Sequence, residues 1–417
     1  MNQLLTELQS PDITIIGGGM VGASLALLLA KQKPDWQILL LDAQAFPTAD
    51  EPIYQPSFDS RSTAIAQGSV DILRDLGVWD LMSQHATAIA QVHVSDAGHF
   101  MGGLIKAHTY KLNAVGYVVP NQWIGRVLFH ALRQYTNIHC VAPAQVTKLQ
   151  PKQQGMGIQL HVNGEPHEFS TSLAVLADGG SSTLRHSLGI SVTQKDYAQT
   201  AIIANVAYTQ AHQGIAYERF TDLGPLALLP LGGSASSCES ALVLTLPTEA
   251  AEQLLNESDE NFLAHLQTRF GTRLGQFTRV GERAAYPLQL TTADEQVRSH
   301  FVLLGNAAHY LHPVAGQGFN LSLRDCACLT KTLIDAAQQQ KRLGDISVLQ
   351  QYVDTQFTDQ LLTIEFSDKL VRLFSNKSLP LIALRHLGFL GLDLMPPLKK
   401  QFASQTMGTA TTQFIES

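Results

Sequence analysis

Residues 13–30 read ITIIGGGMVGASLALLLA: a β-rich apolar run, three glycines in a row, and then a pattern that suits a helix. Gly17, Gly19 and Gly22 fit G-x-G-x-x-G, and each glycine answers a physical demand. The chain must leave a strand in a tight turn, its backbone must come close to a pyrophosphate, and the helix must pack on the strand it has just left. The N–H groups and positive dipole end of that helix then face the anion without help from a lysine. Taken alone, the triplet also suits a glycine-rich turn of some other α/β protein.

The flanks narrow the reading. Asp12 to Ile16 is a short strand, Met20 to Ala30 a helix and Gln37 to Leu41 a second buried strand, so the spacing predicts a βαβ unit. Asp42 ends that second strand, 20 residues beyond Gly22, where a carboxylate accepts hydrogen bonds from a ribose diol. An acid there disfavours a 2′-phosphate. The unit predicts bound FAD or NAD, and the fingerprint leaves the choice between them open.

A chain of 417 residues has room for two to three domains and a large core. Its net charge of −7, with no basic stripe, argues against a nucleic-acid partner. Cys140, Cys238, Cys326 and Cys328 are scattered, which predicts a reducing, cytoplasmic setting with no disulfide framework and no metal site. The N-terminus lacks the basic and long apolar regions of a signal peptide.

Further along, Phe58 to Ala66 reads FDSRSTAIA, followed by helical apolar spacing over Ser69 to Leu81. Arg61 could hold a cofactor phosphate bidentately or simply pair with a surface carboxylate. Ala90 to Val119 alternates as strands of a different sheet, and Asn121 to Tyr135 returns to a helix bearing Arg126. Leu173 to Ala177 is a buried strand that runs into Asp178-Gly179-Gly180 and a helix-like SSTLRHSLGI. That context favours a strand-to-helix corner beside a ligand over an Asp-Gly hairpin. Thr200 to Leu246 is β-rich without crossover helices, which predicts an antiparallel sheet walling a substrate cavity. Glu218, Arg219 and Pro225 lie on it as candidate substrate contacts.

A second strand-loop-helix stretch is Phe301 to Thr330, FVLLGNAAHYLHPVAGQGFNLSLRDCACLT. An apolar strand ends at Gly305, the loop carries Pro313, Gly316 and Gly318, and a helix is expected to begin near Asn320. Glycines on both sides of Gln317 let backbone N–H groups converge on a flat anionic edge, a geometry that suits a flavin pyrimidine ring. Two such corners so far apart argue for one extended cofactor lying across both.

The ordered set GGGMVG, FDSRSTAIA, the Asp178-Gly179 corner and GNAAHYLHPVAGQGFN followed by RD resembles the single-component FAD-dependent aromatic hydroxylases. Within them it is similar to the ubiquinone-biosynthesis branch, to which AYERFTDLGPLALLPL adds support. The resemblance covers most of the chain. One departure is Asn306, where most of the superfamily carries aspartate; an amide can still bond a ribitol hydroxyl but brings no charge.

The resemblance implies an α/β fold with a Rossmann-like FAD-binding domain of the p-hydroxybenzoate hydroxylase type, built from residues 1–80, 115–182 and 285–345. An inserted, mostly antiparallel substrate domain would take 81–114 and 183–284, and C-terminal helices 346–417. Gly17, Gly19 and Gly22 would hold the FAD pyrophosphate and Asp42 the adenosine ribose. Arg61 and Arg126 would reach the phosphates or ribitol, and Asp178 with Gly179 would lie near the pyrophosphate. Gly305 and Asn306 would meet the ribitol, and the loop of Pro313, Gly316, Gln317, Gly318, Phe319 and Asn320 would set N–H groups at the flavin carbonyl edge.

The implied activity is NAD(P)H- and O2-dependent hydroxylation. Reduced flavin gives a flavin hydroperoxide that a lipophilic polyprenyl-methoxyphenol ring attacks, the cofactor carrying the hard chemistry. The reaction is faster on a phenolate, so a base is worth about 10²–10⁴-fold. His309 and His312 flank the flavin loop and are the candidates, although each could instead be satisfied by loop backbone. With no second G-x-G-x-x-G, NAD(P)H would bind transiently near Asp178. Trp36, Trp79 and Trp123 are too far apart for the W-x-W of flavin halogenases, which share the fold.

Val348 to Ser417 is helical in pattern, with Phe366, Leu370, Leu373 and Phe374 on one face. Leu379 to Leu394 is interrupted by Arg385, His386 and Asp393 and is too short to span the ~30 Å of a bilayer. It is expected to pack on the FAD domain or rest peripherally on the inner membrane. Other ubiquinone-biosynthesis proteins are implied partners. The rival readings are a hydroxylase of another ring position or of a soluble aromatic, a flavin-bound assembly subunit without turnover, and an NAD-dependent dehydrogenase.

Overall fold

Ile13–Ile16 (ITII), Ile38–Leu41 (ILLL) and Leu173–Leu176 (LAVL) are buried along their whole length. Strands with no wet face need cover on both sides, which is the situation of a parallel sheet. The structure, a computed structural model describing residues 10–46, 57, 60–96, 102–180, 182–311 and 317–375, places them side by side. The six-stranded sheet runs Val297–Arg298, Phe301–Leu303, Leu173–Leu176, Ile13–Ile16, Ile38–Leu41, Ile138–Val141. All its pairs are parallel except the one made by the short edge strand Val297–Arg298. Phe301–Leu303, although nearly 300 residues from Ile13–Ile16 in sequence, is separated from it in space by one strand. The turns after Ile16, Leu176 and Leu303 therefore leave one end of one sheet, the end at which open parallel sheets bind ligands.

Helices Met20–Gln32, Asn121–Leu132 and Gln317–Gln338 bury their apolar sides on one face of this sheet. The other face is covered by a three-stranded meander, Ala144–Lys152, Gly155–Val162 and Glu165–Thr171, through Ile158, Leu160, Val162 and Phe169. Sequence pattern did not announce that meander.

The second large sheet has nine strands and is mostly antiparallel. Val192–Tyr208 pairs with Glu239–Pro247 and Ala284–Ala293; Gly224–Pro230 and Ile215–Thr221 follow, and Ile215–Thr221 lies parallel to Gln91–Asp96. Helices Thr248–Leu255 and Asp259–Phe270 close one face with Phe262, Leu266 and Phe270. The opposite face is left to line a cavity.

Three expectations are corrected. Residues 285–293, assigned from sequence to the cofactor domain, are part of Ala284–Ala293, which pairs with Val192–Tyr208 and so belongs with the substrate sheet. Ala90 to Val119 divides between two sheets, because Gly116–Pro120 pairs with Ser62–Ala66 and Thr87–Ile89. The helix expected over Ser69 to Leu81 is Gln67–Asp75 followed by Trp79–Met82, broken where Gly77 takes a φ of +79°.

The last described helix, Ile346–Ser375, packs on Gln317–Gln338. Residues 376–417, which include Leu379 to Leu394, lie outside the described residues, as do the side chains of Phe366, Leu370, Leu373 and Phe374. No described helix is long and apolar enough to cross a membrane.

Candidate active site

At the first corner, a Cβ on Gly17 (φ +107°) would lie 2.4 Å from the Ala177 carbonyl oxygen, and one on Gly22 only 1.9 Å from that of Gly17. Both positions are closed to any side chain. A Cβ on Gly19 would meet nothing within 4 Å, and Gly19 caps Met20–Gln32 with no side-chain hydrogen bond. Two glycines thus allow close packing, while the third opens onto free space at an uncapped helix N-terminus, where an anion is stabilised. Asp42 is held at the adjoining strand end: its Oδ2 accepts from the Gly18 N–H (2.6 Å) and its Oδ1 from the Gln44 N–H (2.7 Å).

The second corner abuts the first. The Asp178 nitrogen would lie 2.8 Å from a Cβ on Gly17, and Gly179 takes a φ of +98°. The Ser182 hydroxyl donates to Asp178 Oδ2 (2.7 Å). Burial pushes the Asp178 carboxyl above the usual carboxylate range, opposed by that hydrogen bond and by the charge of Arg185. Arg185, given no role from sequence, is buried and donates to the carbonyls of Gly180 (3.1 Å) and Ala307 (2.7 Å). It ties the second corner to the third. No local pattern could have shown a partner 122 residues away.

The third corner starts at Gly305, with a φ of +62° and its hydrogen side against Val21 and Ser322. Asn306 is exposed and faces the cavity, joined there by Gln317, Gly318 and Phe319 at the start of the long helix. Asn320 lines it too, but its side chain is already engaged: Oδ1 accepts from the Ala66 N–H (2.8 Å) and Nδ2 donates to the Ala64 carbonyl (2.9 Å). It clamps Ser62–Ala66 in place, so only its backbone is available to a ligand. Arg61 lines the cavity with its guanidinium 5.3 Å from the Tyr286 ring centre. Arg126 sits on Asn121–Leu132, which packs against Met20–Gln32 outside the cavity. His312, Pro313 and Gly316, and Phe58 and Asp59 of FDSRSTAIA, lie outside the described residues.

His309 is a correction. Its ring is 1 % exposed, its Nε2 lies 2.7 Å from Asp325 Oδ2, and it does not line the cavity. Asp325 Oδ1 accepts in turn from Gln356 and Gln360, both at 2.9 Å. The imidazole belongs to a buried network between two helices. That position denies it contact with a substrate ring. Its neighbours Tyr310 and Leu311 do line the cavity.

The cavity encloses about 430 Å³. One side is the cofactor corner, with Met20, Val21, Asn306 and Gln317 to Asn320; the other is the free face of the nine-stranded sheet, with Ile203, Ala227, Leu229 and Val243. Pro225 and Glu218 lie on that face. Arg219, next along the same strand, does not, because side chains alternate across a sheet. The candidate pair therefore splits. Glu218 has no hydrogen-bond or ion-pair partner among the described residues, and burial alone pushes its carboxyl up to about 7. Among the described lining residues the only charged side chains are Glu218 and Arg61.

Residues 10–355 match the family described as the FAD binding domain. The chain belongs to this family of FAD-dependent monooxygenases. Ubiquinone hydroxylase UbiL of Rhodospirillum rubrum is 35 % identical over 398 residues, which cover 95 % of this chain and 90 % of that one. The 3-demethoxyubiquinol 3-hydroxylase of Escherichia coli is 30 % identical over 96 % of this chain and 99 % of its own length. Among solved structures, p-nitrophenol 4-monooxygenase PnpA of Pseudomonas putida superposes with a TM-score of 0.75 at 16 % identity, covering 95 % of this chain and 98 % of that one. That last likeness concerns the fold.

FAD fits what this monooxygenase chain provides. The space at Gly19, the uncapped helix, the fixed Asp42 and the corner at Gly305 follow one end of the parallel sheet, and their neighbours Met20, Val21 and Asn306 line the cavity. Asp42 stands where the adenosine ribose would be bonded, and Gln317 to Asn320, at the start of their helix, would offer backbone N–H groups to the flavin edge.

Proposed function

We propose that this flavoprotein monooxygenase hydroxylates the ring of a polyprenyl-methoxyphenol in ubiquinone biosynthesis, consuming NAD(P)H and O2. The observation that carries this reading is the shared cavity: an apolar β-wall faces the flavin corner across about 430 Å³, ample for an aromatic head group. The names of the two relatives, both acting on quinone-pathway compounds, support the substrate class. When bound, FAD accepts hydride from NAD(P)H and supplies the activated oxygen.

The chain's own residues bind, orient and exclude water. Gly17, Gly19, Gly22, Asp42 and the Asp178-Gly179 corner would hold the nucleotide, and Asn306 would meet its ribitol without adding charge. Arg61, beside Tyr286, lies where the cavity meets the cofactor. Ile203, Ala227 and Val243 press an apolar surface on the substrate ring, keeping water from the reacting carbon. The prenyl tail would be drawn from the surface of the inner membrane, which the enzyme touches at most peripherally.

The test uses purified holoenzyme, a short-tailed 2-methoxy-6-prenylphenol and either NADPH or NADH. The phenol should accelerate nicotinamide oxidation, and mass spectrometry should find one added oxygen on the ring. Absence of acceleration would make the chain a flavin-bound assembly subunit. Acceleration only by soluble aromatic acids would move the substrate class.

A further inference from the structure

We infer that Glu218 is the proton acceptor for the phenolic hydroxyl of the substrate, the role that His309 is too far removed to play. The inference rests on the hydroxylase reading above and adds to it the group that ionises the ring.

The geometry starts from strand alternation. Ile215–Thr221 pairs antiparallel with Gly224–Pro230, which pairs with Glu239–Pro247, which pairs with Val192–Tyr208. Register sets Glu218 opposite Ala227, Ala227 opposite Val243 and Val243 opposite Ile203, and all four line the cavity. On the other flank its partner in the parallel pair is Val94. A carboxylate is thus set into an otherwise apolar row. Packing cannot account for this, since an ionised group taken from water without a partner is strongly disfavoured. An acid retained under that penalty, facing the cavity beside the cofactor corner, is a candidate for chemistry.

Its acidity suits the task. A phenol gives up its proton near pH ~10 and an ordinary glutamic acid near ~4.3, so an unperturbed carboxylate is a poor acceptor for it. Burial raises Glu218 to about 7, which narrows the gap while leaving a working fraction ionised at neutral pH. The other charged and titratable groups around the cavity are Arg61, Tyr217, Tyr286 and Tyr310. His93 and Arg219 point to the helix-covered face of the sheet, and Glu365 and Asp368 lie on the described part of Ile346–Ser375. None of these sets the shift, for which desolvation is the cause.

The step balances. The phenol O–H bond breaks, its electron pair stays on the ring oxygen, and the proton passes to a Glu218 carboxylate oxygen. The ring, now electron-rich, receives one atom of O2 at carbon. NAD(P)H is oxidised by two electrons and, with one solvent proton, supplies two hydrogens: one is carried by the oxygen atom delivered to the ring, and the other joins the proton displaced from that carbon on the second oxygen atom, which leaves as water. Glu218 returns its own proton to the ring oxygen as aromaticity is restored.

Glu218→Gln keeps size and hydrogen-bonding reach but cannot take a proton. In wild type, hydroxylation of 2-methoxy-6-prenylphenol should rise with pH through about 7 as Glu218 ionises, and in Glu218→Gln only towards the free phenol's own pH. Hydroxylation of this phenol by the variant should fall about 10²–10⁴-fold. It should recover to within about tenfold on a ring-fluorinated analogue already ionised at neutral pH. FAD content should match wild type, showing an intact fold. Wild-type turnover with an unchanged variant overturns the role of Glu218 alone, as does equal loss on both phenols or a rise in rate through about pH 7 that survives the substitution. If wild type hydroxylates neither phenol, the hydroxylase reading fails instead.

Discussion

Gly22 shows how far a single atom reaches. The Cβ of an alanine there would stand 1.9 Å from the Gly17 carbonyl oxygen, and that oxygen belongs to the turn proposed to hold the pyrophosphate. Backbone must yield, because no flexible side chain is in the way. Gly22→Ala should lower folding stability by about 1–3 kcal/mol through imposed strain and should purify with little FAD. Thermal unfolding and the flavin-to-protein absorbance ratio measure the two effects separately. Full flavin content would show that the turn can widen without losing its ligand. Asn320 works by the opposite means, through a filled site: its amide satisfies Ala64 and Ala66 on a strand more than 250 residues earlier. The sequence resemblance assigns Asn320 only a backbone N–H; its side chain is the clamp holding the cavity wall.

At the scale of elements, the decisive joint is between Gln317–Gln338, whose first turn lines the cavity, and Ile346–Ser375. Arg324 Nε and Asp359 Oδ2 lie 2.7 Å apart with both side chains almost wholly buried, and next to them Asp325 gathers His309, Gln356 and Gln360. Removing one member of a buried pair strands the other charge. Arg324→Ala should therefore cost about 3–5 kcal/mol, whereas Arg324→Met combined with Asp359→Leu should recover most of it. A denaturant series on the single and paired variants checks this; additive losses would mean that the two groups act independently. The joint also shows what sequence could and could not tell. The βαβ unit was legible because its constraints are local, a turn that admits only glycine and an acid 20 residues on. The β-rich character of residues 200–246 was legible from composition. Which face Glu218 and Arg219 take, where His309 points and what Arg185 bridges depend on partners from about a dozen to more than a hundred residues away, so they became visible only with the strands in register.

At the scale of the whole molecule, Glu218 couples a working cavity to the stability of the fold. Its carboxyl holds a proton up to about 7 in the folded chain but releases it near ~4.3 when unfolded. Between those values the folded state binds more protons. This group therefore favours folding most at pH below the lower value, and that advantage is lost as pH rises through about 7. Glu218→Gln, which stays neutral throughout, should match wild type in melting temperature near pH 4 and exceed it progressively up to about pH 7.5, beyond which the difference levels off. Paired melting curves across this range, taken with FAD saturating so that cofactor binding is constant, read the difference directly. A difference that does not change with pH would place the Glu218 carboxyl in contact with water and leave it as acidic as any surface glutamate. A variant more stable than wild type where the enzyme works, yet slow on unionised phenols, is the pattern expected of a residue held at the expense of the fold for the reaction it serves.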